Sequence, residues 1–213
     1  MSHCCDGIYP RSAHMKNIVG LDLETTGIGE DHKIIEYCGL VLNEKMLEDE
    51  SRSILQRFNP QRSIDAKAQA VHHISLADLM SEPIFETKAE EIHEQLKQAT
   101  LIVIHNAAFD TAYLNREFKR LGMTEITVPT LCTMRSARWA TYDGKVPRLQ
   151  ELCSALGVIY NETEAHSARY DVEVMLACFC KMAREGYIDR NYIFPFNQIS
   201  EELYLKADGM SLI

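Results

Sequence analysis

Residues 17–27 read NIVGLDLETTG. The β-branched and aliphatic residues predict a strand over 17–23, followed by a turn at Thr25-Thr26-Gly27. Side chains along a strand alternate between its two faces. Val19, Leu21 and Leu23 therefore point into apolar packing, while Asp22 and Glu24 share the opposite face. Two carboxylates about 7 Å apart along one face can both reach a cation placed over it. An isolated Asp-x-Glu is ordinarily a solvated strand end, so its meaning depends on what the rest of the chain brings beside it.

Working outward, residues 34–42 (IIEYCGLVL) and 53–58 read as two further strands, joined by a polar connection at 43–49. Connections this short favour antiparallel neighbours. Beyond them the period changes. Residues 87–99 read as a helix, 101–105 as a short apolar strand, and 108–121 as a helix stopped by Gly122. A short strand near 128–132 precedes helical stretches at 134–142, at 149–156 before Gly157, and at 168–184 before Gly186. A three-strand meander followed by alternating strand and helix describes an α/β fold, a mixed sheet flanked by helices.

The 213 residues suffice for one sizeable domain, expected over 17–185, with 186–213 as a C-terminal extension. That extension carries Pro195 and aromatic patches, and is expected either to pack back on the domain or to bind a partner. Residues 1–16 lack hydrophobic periodicity and the apolar core of a signal peptide, so they read as a flexible or added leader. No apolar run approaches the ~20 residues of a membrane span. Cys38, Cys132, Cys153, Cys178 and Cys180 sit among apolar residues and no CxxC pair occurs, which fits reduced thiols and a cytoplasmic location. The formal charge of −9 argues against diffuse binding to a phosphate backbone, unless a basic strip or bound cations reverse the field locally.

Two more clusters join Asp22 and Glu24. LIVIHNAAFD places Asp110 just beyond a buried strand, in the first turn of the next helix, where α/β sheets line their functional crevice. An acidic residue there also complements the helix N-terminus, but only by ~0.3–1 kcal/mol. In HSARYD, His166 and Asp171 are five apart, which on a continuous helix turns them roughly 140° from one another. They converge if His166 lies in the preceding loop and Asp171 one turn inside the helix, with Ser167 as the N-cap. Four converging carboxylates repel unless cations sit among them, and hard oxygen ligands favour magnesium or manganese.

At these residues the chain resembles the DEDDh exonucleases of the ribonuclease H-like superfamily. That family includes the proofreading epsilon subunit of bacterial DNA polymerase III, exonuclease X and ribonuclease T. DLETTG (Asp22 to Gly27), HNAAFD (His105 to Asp110) and HSARYD (His166 to Asp171) carry the likeness, with AVHHIS (Ala70 to Ser75) between them. The resemblance implies a ribonuclease H-like mixed five-stranded sheet flanked by helices. It implies that Asp22, Glu24, Asp110 and Asp171 hold two Mg2+ or Mn2+ ions, with Asp22 bridging, and that His166 is the general base. Leu23, Thr25, Thr26, His72, Asn106 and Phe109 would then cradle the terminal nucleotide.

The implied reaction is 3′→5′ hydrolysis of phosphodiester bonds, releasing nucleoside 5′-monophosphates from a 3′ end. DNA, single-stranded for preference, is the expected substrate. A ribonuclease T-like exoribonuclease is the alternative within enzymes, and a catalytically inactive nucleic-acid-binding module the alternative outside them. A DNA polymerase or another protein is the expected partner, through the C-terminal extension. A basic strip formed by Arg116, Lys119, Arg120, Arg135, Arg138, Lys145 and Arg148 would guide the strand, although a solvated helix face explains Arg116, Lys119 and Arg120 equally well.

Overall fold

A computed structural model describes residues 17–209; the 1–16 leader and residues 210–213 lie outside the described residues. The first strand, β1 (Ile18–Thr25), pairs antiparallel with β2 (Ile34–Leu42), which pairs antiparallel with β3 (Ile54–Arg57). On its other side β1 runs parallel to β4 (Leu101–Ile104), and β4 parallel to β5 (Pro129–Cys132). Between β3 and β4 lie α1 (Ala66–His72), α2 (Leu76–Leu79) and α3 (Ala89–Lys97), and α4 (Ala107–Arg120) joins β4 to β5. After β5 come α5 (Thr133–Ser136), α6 (Leu149–Leu156) and α7 (Ala168–Glu185).

The fold class is the mixed α/β sheet read from the sequence, with six strands rather than five. The sixth, β6 (Ile193–Pro195), pairs antiparallel with β5 and is followed by α8 (Glu201–Ala207). Three residues ending in proline give no alternation to read, and only pairing to β5 makes them a strand. Two other differences have local causes. Residues 134–142, read as one helix, form α5 and then a separate 3-10 turn at Arg138–Ala140, because the chain leaves helical geometry at Ala137. α1, not read as a helix, starts where the Asp65 side chain accepts from Lys67 N–H at 2.7 Å.

Each face of the sheet carries its own core. Val19, Leu21 and Leu23 pack with Ile92 and Leu96 of α3 and Leu114 and Phe118 of α4. On the opposite face, Ile18, Cys38, Leu40 and Val103 pack under Val172, Met175, Leu176 and Phe179 of α7. Gly20 lies on this second face. A Cβ there would come within 2.6 Å of the Leu176 side chain, so the bare glycine lets α7 settle directly onto β1. That approach sets where the first turn of α7 falls, and Asp171 is in that turn.

The core continues into the C-terminal segment. Tyr192, Phe196, Ile199 and Tyr204 are buried in the same cluster as Leu21 and Leu114. Asp208 clamps the end of this segment, accepting from Tyr192 Oη at 2.6 Å and pairing with Arg135 and Arg138. Cys38, Cys132, Cys153 and Cys178 are buried free thiols, and no described helix is long and apolar enough to cross a membrane. Tyr204→Ala should therefore cost about 3–5 kcal/mol, and each kcal/mol should lower Tm by roughly 2–4 °C in a chain of this size. Thermal unfolding followed by circular dichroism checks this; a change within 1–2 °C (roughly 0.5 kcal/mol) would show that the segment is not part of the cooperative core.

Candidate active site

β1 outruns its parallel neighbour. Pairing to β4 stops at Leu21 opposite Ile104, which leaves the N–H of Leu23 open at the carboxyl end of the sheet. Asp110 Oδ1 accepts that N–H at 3.1 Å, so a backbone group of β1 anchors the acid from α4. Asp110 is buried, in the first turn of α4, behind Asn106, whose φ of 67° makes the sharp left-handed entry to the helix. From the other face α7 brings Asp171, whose Oδ2 accepts the backbone N–H of His166 at 3.1 Å. His166 itself sits at φ 64° in an exposed loop, which frees its ring from helical geometry. Ser167 does occupy the N-cap of α7, but its hydroxyl makes no capping bond; the Asp171 carboxylate receives a loop N–H instead.

The two elements converge on Asp22 and Glu24. Burial pushes the Asp22 carboxyl well above its ordinary range, reinforced by the charges of Asp110, Glu24 and Asp171. Burial likewise pushes Glu24 up to about 9, with Glu36, Asp171 and Asp110 adding to it. Burial also raises Asp110 and Asp171, the latter against an opposing pull from His166. Asp22 lies within electrostatic reach of all three other acids and of Glu36. Among the described residues no three acidic, histidine or cysteine side chains are already closed into a metal-holding group. The donor set nevertheless suits a hard divalent cation, and Asp171 Oδ1 is buried without a hydrogen-bond partner, as an oxygen left for a ligand would be.

Beside Glu24 opens a cleft of about 460 Å³ walled by Thr25, Ala68, Val71, His72 and Phe109. The Nδ1 of His72 accepts the Ile74 N–H at 3.0 Å, which puts the ring proton on Nε2, and burial holds the imidazole below its ordinary pKa. A second cleft of about 420 Å³ meets the first at Ile28 and Phe109 and contains Asn106. Two of the sequence-predicted nucleotide contacts face elsewhere. The Leu23 side chain is in the core, and the Thr26 hydroxyl accepts from Lys33 N–H at 3.0 Å and meets His32 Nδ1 at 3.1 Å. Those bonds fold the 27–32 loop tightly; a Cβ on Gly27 (φ 150°) would lie 2.4 Å from the His32 ring.

His105 is likewise structural: its Nδ1 lies 3.0 Å from Thr133 Oγ1, and burial lowers it to about 4. Glu36, outside the sequence-predicted set, stands directly across β1–β2 from Glu24, is buried, and pairs with Arg57 at 2.6 Å. The signal was its place as the one charged residue in the nine-residue strand IIEYCGLVL. Most of the basic strip is also committed elsewhere. Arg120 pairs with Glu86 and Glu117, Arg135 with Glu201 and Asp208, Arg138 with Asp208, and Lys145 with Glu151.

Fold and site together define a nuclease-type α/β domain with acids gathered at the carboxyl end of its central strand. The family model described as Exonuclease matches residues 19–179, and the chain belongs to that family, as a DEDDh-type 3′→5′ exonuclease. It is 31% identical over 213 residues to the DNA polymerase III subunit epsilon of Buchnera aphidicola subsp. Acyrthosiphon pisum, covering 93% of this chain and 88% of that one. It is also 31% identical over 172 residues to the epsilon subunit of Pasteurella multocida, there covering 76% of this chain and 66% of the relative. Among solved structures, E. coli Exonuclease I in complex with a dT13 oligonucleotide superposes with a TM-score of 0.67 at 16% identity, over 79% of this chain and 41% of that one. The nuclease domain of 3′hExo, a DEDDh family member bound to rAMP, gives a TM-score of 0.65 at 14% identity, over 83% and 96%. At such identities these two likenesses speak for the fold.

The elevated Glu24 has a consequence for stability. An unfolded glutamate ionises near 4.5, the folded one near 9, so the folded metal-free chain holds the extra proton. Its stability is therefore greatest below about 4.5 in this respect and falls as pH rises towards about 9. Glu24→Gln should raise Tm in EDTA at pH 8 and flatten the decline between pH 5 and pH 9 (approximate bounds set by that window). Melting curves across that range check it; a Tm below the wild-type value at about pH 8, near the upper end of the window, would contradict it.

Proposed function

We propose that Asp22, Glu24, Asp110 and Asp171 hold two divalent cations, Mg2+ or Mn2+, and that His166 acts as the general base. The chain would thereby remove nucleoside 5′-monophosphates from the 3′ end of DNA, single-stranded for preference. The observation that carries this reading is the gathering of Asp22, Glu24, Asp110 and Asp171, buried or half-buried, at the end of β1, with no lysine or arginine among the described residues paired to them. A structural acid cluster would be stabilised by arginine or lysine, as Glu36 is by Arg57.

When bound, such ions supply Lewis acidity, which makes water a better nucleophile and stabilises the departing 3′-oxygen. The protein's own groups do the rest. His166, free in its loop and beside Asp171, accepts the proton of the attacking water on a ring nitrogen. The apolar walls formed by Ala68, Val71 and Phe109 receive the terminal nucleoside and exclude water from it. His72, neutral and buried beside Thr25, lines the same cleft. Asp110, fixed through the Leu23 N–H, keeps its carboxylate registered to the strand that carries Asp22 and Glu24.

The preference for DNA rests on the likeness to subunits of a DNA polymerase. The same likeness supports a polymerase-type partner. Because Tyr192, Phe196 and Tyr204 face the chain's own core, such a partner would meet the outer face of residues 186–209.

Hydrolysis should require Mg2+ or Mn2+ and stop in EDTA. His166→Ala should slow single-turnover cleavage by ~10²–10⁴-fold while leaving metal affinity intact, and Asp22→Asn should be the most damaging carboxylate change. Calorimetric metal titration and rapid-quench rates on the same variants check both; a His166→Ala enzyme at wild-type rate would remove that residue from the mechanism. In a mixture of matched DNA and RNA oligonucleotides the DNA should be degraded first, and clear preference for RNA would overturn the substrate assignment.

A further inference from the structure

An acidic chain that degrades an acidic polymer needs cations where the strand lies. Most arginines near the site are neutralised by carboxylates: Arg57 by Glu36, Arg120 by Glu117, Arg138 by Asp208, and Arg169 by Glu48 and Glu173. Two basic residues that line the clefts differ. Lys67 lies in the wall of the cleft that holds Glu24 and His72, on the exposed side of α1. Arg116 lies in the wall of the adjoining cleft with Asn106 and Phe109. Among the described residues neither has a carboxylate partner.

Arg116 is also held in place. Its guanidinium stacks 4.5 Å from the Tyr113 ring centroid and donates from Nη2 to the His32 carbonyl at 2.7 Å. Tyr113 Oη in turn donates to the Gly27 carbonyl at 2.7 Å. Carbonyls and a ring fix the guanidinium without cancelling its charge, and the remaining N–H donors stay available. Lys67 is a flexible cation on a rigid helix whose start is capped by Asp65. The two clefts meet at Ile28 and Phe109, so Lys67 and Arg116 flank that junction.

We infer that Lys67 and Arg116 are positioning residues for the substrate strand, each contacting a backbone phosphate on its own side of the Ile28–Phe109 junction. This rests on the nuclease reading of the site. It assigns them strand affinity rather than chemistry, since both stand outside the group of four acids. Each such contact contributes a counterion-release component to binding, which salt weakens in proportion to the number of phosphates neutralised.

The test measures KM and kcat on a single-stranded DNA oligonucleotide at several KCl concentrations, for wild type, Lys67→Met, Lys67→Arg, Arg116→Gln and Arg116→Lys. Thymidine 5′-(p-nitrophenyl phosphate), which has only the scissile phosphate, is assayed in parallel. Lys67→Met and Arg116→Gln should each raise the oligonucleotide KM by roughly three- to tenfold and flatten its log–log salt dependence by about 0.7. Lys67→Arg and Arg116→Lys should restore most of that slope, which a merely structural role would not do. The fall in kcat/KM should be at least severalfold greater on the oligonucleotide than on the ester. Unchanged slopes, or equal losses on both substrates, would overturn the inference. Failure of the wild-type protein to cleave either substrate with Mg2+ or Mn2+ would instead overturn the nuclease reading itself.

Discussion

Repulsion among Asp22, Glu24, Asp110 and Asp171 is the constraint around which the rest of the molecule is arranged. Carboxylates drawn from three elements, buried or half-buried together, oppose folding unless they hold protons or cations; burial raises the pKa of all four, and neighbouring charges add to it at Asp22 and Glu24. The surrounding fold overcomes this opposition with apolar packing on both sheet faces. β2, buried along all nine residues, and the α7 layer supply the cohesion that holds the acids at the carboxyl end of β1. In the proposed reading a divalent ion would relieve this repulsion, which would link its binding to stability.

Placement of the acids depends on rigid elements more than on loops. Asp22 and Glu24 are fixed by the pleat of a central strand, Asp110 by a bond to that strand's backbone, and Asp171 by a helix seated against Gly20. His166 is the exception. It lies on a loop, at positive φ, tied through its backbone to the acid it accompanies. In the proposed mechanism His166, as a base that takes up and releases a proton, would need access to solvent, whereas metal ligands would need fixed positions.

Electrostatics away from the acids follows a second division. Arg57 neutralises Glu36 next to Glu24, and Arg135 and Arg138 secure the C-terminal segment through Asp208. These arginines serve the fold. A net charge of −9 therefore does not describe the field at the clefts, because charges paired inside the structure cancel locally and the unpaired groups of both signs set what remains.

The amino-acid sequence by itself determined the central strand, its inward and outward faces, and the three acidic motifs. Period-two alternation and motif spacing are local properties, so Asp22 and Glu24, Asp110, and His166 with Asp171 could be assigned to strand end, helix turn and loop from their neighbours alone. Only the tertiary structure decided which of their companions face the clefts. Leu23 and Thr26 lie within the same motif as Thr25, yet one side chain turns to the core and the other to His32 and Lys33. β6 exists because β5 offers it an edge, and Arg135 and Arg138 are absorbed by Asp208, 73 and 70 residues away. Pairings across such distances leave no periodic trace in the chain, because they are selected by the packed surface and not by the residues adjacent in sequence.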